Sequence, residues 1–431
     1  MGQKNEDVVI KRSSKSSKKP IDTKIIALCV LVLILVMAIG AVFSNVAGKP
    51  LINAGNTSKN GAIIYGSLPD SIRKVESFSS GAVLLTDTAV EYIDMNGKKL
   101  STNSHLYSQP VIKTNKSTVL LYDKGGTSFR VEKNTSIYNT YTVSGTITTA
   151  ALGAKDNYAY VLNNDGGYQS HLFVYSYQGK KQFEWGSASD YCIGTALSDN
   201  GKSVAVAMLG VKNGEYVSKI IFFNFKDSEP LYSVEFSDCT VYQLDFINNK
   251  TIAALTDNGI FVINNDGQSD KVLEYLPTEI VSSNVFRSGL KVFGIAQHGN
   301  SKESKVSVYD KKYEQLYSLD FDCEVFGVKA SKNNVAVLLG DKINIYDKDN
   351  NKTAEIILGE KCFDAVFSGS RLFVQTLSGI YSFDCNKNID LTLIEETDTT
   401  KENITEVSET ENVTFEMTTN KEPETGAVSV G

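Results

Sequence analysis

Catalytic hardware is scarce in this chain of 431 residues. Its three histidines, His105, His171 and His298, stand far apart, and there is no H-E-x-x-H. A histidine-built metal centre or a Ser-His-Asp triad therefore has no foundation here. No G-x-S-x-G is present, and none of the six cysteines stands in a C-x-x-C. The formal net charge is −7, so the basic stripe that nucleic-acid binding needs is missing as well. Two strings imitate motifs and then depart from them. Asn200-Gly201-Lys202-Ser203 has no glycine five residues before Gly201, so a hairpin turn explains it better than a phosphate loop. Asp347, Asp349 and Asn351 match the opening ligands of a calcium loop, but Lys352 and Leu358 stand where its Gly and Glu belong. The sequence thus predicts no catalytic residue, no metal and no cofactor.

One long hydrophobic run is present. Ile25–Phe43 is nineteen residues of apolar side chains and one glycine, about 28 Å as a helix against a hydrocarbon core of about 30 Å. It is longer than a secretory h-region and lacks a good cleavage site after it, so it reads as an uncleaved anchor. The leader before it has net charge +4, which keeps the N-terminus cytoplasmic. The expected organisation is a cytoplasmic leader (1–24), a single transmembrane signal-anchor helix (25–47) and a flexible tether (48–61). A folded body outside the cell membrane (62–394) and a Thr/Glu-rich tail (395–431) follow. That tail has net charge −8 and too little apolar surface to fold.

Tyr (21) and Phe (20) are plentiful, mostly in alternating segments that favour strands. The body repeats a unit in which an alternating strand, a polar turn and a second strand follow one another. It recurs at 89–100, 128–143, 171–185, 219–236, 259–276, 305–321, 342–358 and 379–394. A further hairpin precedes each copy, with turns such as Asp199-Asn200-Gly201 and Ser368-Gly369-Ser370. Four strands per unit and a period of about 41 residues define an all-β fold, a β-propeller of about eight four-stranded blades. Seven is the alternative, because the unit at 105–143 is degenerate. Ala62–Gly66 is the expected closing strand of the ring, with Ile389–Ile394 as the other candidate.

Four cysteines recur at the start of the first strand of a unit: Cys192, Cys239, Cys323 and Cys362. The innermost strand lines a propeller's axis, so these thiols are expected near the channel. Small buried residues, disulfides between neighbouring blades (Cys192 with Cys239, Cys323 with Cys362) and a thiolate metal site are the three readings of them, the first preferred. Beside them lie Asp190, Asp238, Asp322 and Asp364, a carboxylate cluster only if they converge. The connections Asn163–Ser170, Leu209–Ser218 and Gln297–Ser304 are longer than their counterparts and share one face. They nominate Tyr168, Tyr216 and His298 as binding residues.

In this architecture of basic leader, apolar anchor and repeat-built body, the chain resembles uncharacterised single-pass membrane proteins of clostridial-type Gram-positive bacteria with a WD40- or quinoprotein-like propeller outside. The resemblance covers about residues 1–394. The Gly-His…Trp-Asp signature of WD40 repeats is absent, and with Trp185 as the only tryptophan so is the docking motif of quinoproteins. What it implies is an interaction or scaffold module at the envelope whose partner is a protein or a glycan. An envelope hydrolase or lyase with its site at the channel mouth is the alternative.

Overall fold

Each repeat forms four antiparallel strands because its apolar residues alternate and its turns carry residues that accept unusual backbone angles. The computed structural model of the protein describes residues 63–65, 72–79, 81–297, 302–385 and 391–392. The leader, the apolar run, the tether, the acidic tail and His298 lie outside the described residues. Those described all belong to the first of two units of the chain, Met1–Ile394.

Eight sheets result, six of them ordered as four consecutive strands A to D from the inside outward, one with a fifth strand added and one with its outer strand taken from the start of the body. Blade 1 runs from Ile72–Phe78 to Lys99–Ser104, and blade 4 from Tyr191–Leu197 to Tyr232–Phe236. Eight hydrophobic clusters hold the sheets together, and every one lies between two neighbouring blades. Eight gaps and eight cores mean a closed ring. No blade has a core of its own, since a single twisted sheet can bury its faces only against its neighbours.

The ring closes where blade 8 meets blade 1. Blade 8 takes strands A to C from Cys362–Ser368, Arg371–Thr376 and Ile380–Asp384, and its outer strand from Ile63–Tyr65. Ile389–Ile394 does not fill that position. Within it, Leu391–Thr392 instead pairs in parallel with Lys352–Ile357, the outer strand of blade 7. Gln375 Nε2 donates to Ile72 O (3.1 Å) and Ser368 Oγ to Phe78 O (2.8 Å), stitching the two blades together.

The degenerate unit at 105–143 is a complete blade, so the count is eight. Its third strand, Ser128–Lys133, buries an ion pair where other blades place aliphatics. Arg130 pairs with Glu132 and donates to Asn103 O and Ser104 O of blade 1, while Tyr92 OH donates to Glu132 (2.7 Å). With polar groups inside, the alternation fades although the strand remains.

Candidate functional site

Strand A of each blade runs from the face bearing the D–A and B–C connections, called the loop face, to the face bearing the A–B and C–D turns, called the turn face. Two of the three long connections prove to be extended hairpins. In blade 3, Tyr158–Asp165 and Tyr168–Tyr175 are joined by Gly166-Gly167 alone. In blade 4, Ser203–Lys212 and Glu215–Asn224 turn at Asn213-Gly214. Both turn pairs have positive φ (60° and 88°, 55° and 86°), the geometry that suits the strand twist. The extra residues therefore lengthen the strands and carry their tips outward.

Tyr216 is 74 % exposed and pairs across the blade 4 tip with Val211, 67 % exposed. Tyr168 lies over Gly186 of strand D, where a Cβ would meet its ring at 2.5 Å, and against the His171 ring (4.9 Å). His171 anchors this hairpin. Its Nδ1 faces Asp165 Oδ2 (2.8 Å) and its Nε2 faces Glu184 Oε1 (2.9 Å), so two carboxylates bracket the ring. The Asp165 carboxyl is held below its ordinary range, first by the Ser144 hydroxyl and then by His171.

The strongest signal at this face was not legible from any motif. Of the sixteen large apolar side chains exposed among the described residues, eleven sit in or beside loop-face connections. Part of this follows from a repeated irregularity. In six of the eight blades strand A carries a β-bulge near its loop-face end, opposite strand B. A bulge re-aims the extra side chain. The extra residues include Tyr242, Val281 and Phe363 of blades 5, 6 and 8, all exposed on innermost strands. Phe326, immediately before strand A of blade 7, is exposed too. Four consecutive blades thus present an apolar arc at the mouth of the axis.

The cysteines lie elsewhere than expected. Side chains of an innermost strand alternate between the two faces of its own sheet, and those faces pack on adjacent blades. Cys192 and Cys362 are accordingly buried in the clusters between blades 3 and 4 and between blades 7 and 8. Burial pushes both thiols up to about 12. Cys239 is half-buried, Cys323 is exposed, and all five described cysteines are free. None of the four lines the cavity of about 250 Å³ that opens along the axis toward the turn face.

Charge lines the axis instead. Asp364 of blade 8 accepts from Lys74 of blade 1 (3.2 Å) and from Lys329 of blade 7. Burial would raise its carboxyl, but Lys329 and Lys74 outweigh burial and hold it low. Deeper along the innermost strands of blades 1 and 2 stand Glu76, raised chiefly by burial, and Lys113, lowered chiefly by burial; both line the cavity. On its far wall Asp245 pairs with the buried Lys291 (2.9 Å) and accepts from Tyr313 OH (3.1 Å). Arg287 of blade 6 reaches past blade 5 to Asp199 and Leu197 O of blade 4. These residues come from different blades and meet only because the ring gathers the innermost strands around one axis, so no linear spacing announces them.

The four aspartates do not converge. Asp364 is engaged as described, Asp190 faces Lys219 (3.5 Å), and Asp238 and Asp322 are exposed. Among the described residues no three His, Cys, Asp or Glu side chains are grouped to hold a metal. Asp347 accepts from the N–H groups of Asp349 and Asn351, closing a polar hairpin turn.

Residues 64–383 match the family described as a family of unknown function (DUF5711). No curated protein matches the chain by sequence. Among solved structures the chain is similar to a eukaryotic initiation factor, with 13 % identity, a TM-score of 0.50, and 75 % of this chain and 90 % of that one covered. BamB from Moraxella catarrhalis covers 75 % and 96 % at 10 % identity and a TM-score of 0.46. The C-terminal WD40 domain of Sif2 covers 74 % and 98 % at 12 % identity and a TM-score of 0.49. At such identities the likeness is one of fold.

Proposed function

We propose that this chain, which belongs to the DUF5711 family, is a membrane-tethered propeller that binds an envelope protein or glycan through its loop face outside the cell. The observation that carries this reading is the segregation of exposed apolar side chains, eleven of sixteen, to that face. Scattered apolar residues are ordinary on a soluble surface, whereas a face that collects them is a docking surface. Tyrosine and phenylalanine are also the residues that interfaces favour, since they bury large area with few rotamers to freeze. Tyr168, Tyr216, Phe326 and Phe363 supply them here, on hairpin tips and strand ends held by a closed ring. The apolar run Ile25–Phe43 supports the tether, and the +4 leader supports an extracytoplasmic body.

A photo-crosslinking side chain at Val211 in living cells tests the reading. It should capture a discrete partner, and Tyr216→Ser with Phe363→Ser should abolish capture without moving the unfolding midpoint. An absence of adducts from every loop-face position, or adducts that persist in the double variant, would refute it.

A further inference from the structure

The two faces of the ring carry opposite charge. Among the described residues, the connections on the turn face hold twelve Lys or Arg against eight Asp or Glu. Those on the loop face hold three against ten. The turn-face cations are also placed regularly. Each A–B turn from blade 2 to blade 7 contributes one, namely Lys116, Lys155, Lys202, Lys250, Arg287 and Lys332. A–B turns join the two innermost strands, so these six form a collar around the axis. The five lysines are exposed, and among the described residues no ion pair engages any of them. Only Arg287 is committed, to Asp199.

The path of the chain points the same way. Ile63 pairs with Ser382 and Tyr65 with Ile380, while Ile380–Asp384 runs from the loop face to the turn face. The antiparallel strand Ile63–Tyr65 therefore starts at its turn-face end. The apolar run ends at Phe43, with nineteen residues between it and Ile63. A chain arriving from an anchor thus joins the ring on the side that bears the lysine collar.

From the collar, the opposed charge of the faces and the direction of entry, we infer that the turn face rests on an anionic lipid surface. The loop face is then presented away from the bilayer. This rests on the tethered reading above. An acidic loop face against the same bilayer would be repelled, so the charge asymmetry orients the ring. Lysines near an anionic surface each strengthen partition about five-fold, and the attraction fades over a Debye length of about 10 Å at 0.1 M salt.

The full chain, reconstituted into neutral or anionic phospholipid vesicles, tests this by lysine acylation with a membrane-impermeant reagent, read site by site by mass spectrometry. Lys155, Lys202 and Lys250 should be acylated at least about five-fold more slowly on anionic vesicles, with protection lost near 1 M salt. Lys124 and Lys361 on the loop face should react alike on both. Lys155→Gln, Lys202→Gln and Lys250→Gln combined should free Lys116 and Lys332 from protection. A chain that floats with both vesicle types but shows equal turn-face acylation on each would overturn the orientation and leave the tether standing. A chain that floats with neither overturns both readings. Flotation only with anionic vesicles supports the face assignment against the tether. Stronger protection by a soluble anionic polymer than by anionic vesicles would overturn the lipid assignment.

Discussion

Replacing Asp364 by Asn should loosen the ring at its seam. The carboxylate sits between Lys329 of blade 7 and Lys74 of blade 1, and the three side chains are exposed by 18 %, 15 % and 44 % respectively. Lys74 is wet enough that its pairing is worth only about 0–1 kcal/mol. Lys329 is not, and removing one member of a buried pair costs roughly 3–5 kcal/mol because the other charge is left uncompensated. The partial exposure of both members places this pair at the low end, so the expected loss is about 3 kcal/mol at pH 7. The pH dependence separates this cause from a simple packing defect. Asp364 is held below its unfolded value by the lysines, so its contribution is fully present above the unfolded carboxylate pKa, about 3.9. It is lost as pH falls through the lower folded value. Urea unfolding of wild type and Asp364→Asn from pH 7 to 3 should therefore show two curves that converge in acid. Trp185, between blades 3 and 4, reports far from the seam, and circular dichroism reports on all blades. A gap below about 1 kcal/mol at pH 7, or one that stays constant down to pH 3, would refute the reasoning.

Three further outcomes follow from the same structure. Glu132→Leu should cost roughly 3–5 kcal/mol by stranding Arg130, and adding Arg130→Met should recover most of it, measured by urea midpoints. Iodoacetamide at pH 8 should alkylate Cys323 in the native protein while sparing Cys192 and Cys362, whose thiols are buried and raised to about 12; peptide mass spectrometry distinguishes them. Gly214→Val should cost about 1–2 kcal/mol although nothing lies within 4 Å of the added Cβ, because φ is +86° there. A loss below a few tenths of a kcal/mol would show the turn relaxing into another type.

The propeller was readable because period-two alternation and polar turns survive in nearly every unit, and the exception has a cause. Arg130 and Glu132 erase the alternation of blade 2, yet their partners Tyr92, Asn103 and Ser104 keep the strand in place. The closing strand was readable from its place, AIIYG just after the tether, since propellers often close by joining the two chain ends. Cys192 and Cys362 stand on innermost strands as expected but face neighbouring blades, since alternation does not say whether a residue meets a blade or the lumen, while Cys239 and Cys323 fall in the connections just before their strands. The charged axis was out of reach for a related reason. Lys74, Lys113, Lys329 and Asp364 belong to four different blades, and only the closed ring brings their innermost strands together. The apolar arc escaped notice similarly, because Tyr242, Val281 and Phe363 are ordinary strand residues until the bulge re-aims them.

The origin of blade 8 from both ends of the body has a consequence for the order of folding. Ile63–Tyr65 leaves the ribosome first among the described strands, yet its partner Ile380–Asp384 comes seven blades later. Blades 1 to 7 can pair their hairpins locally and stack as they emerge. The first strand must wait unpaired for more than three hundred residues of synthesis. The closing contact is the most distant along the chain, so its loop entropy is largest and it forms last. Until blade 8 forms, the growing ring is an open arc with two uncovered faces, on blades 1 and 7, and these are the surfaces on which a chaperone of the nascent chain would act.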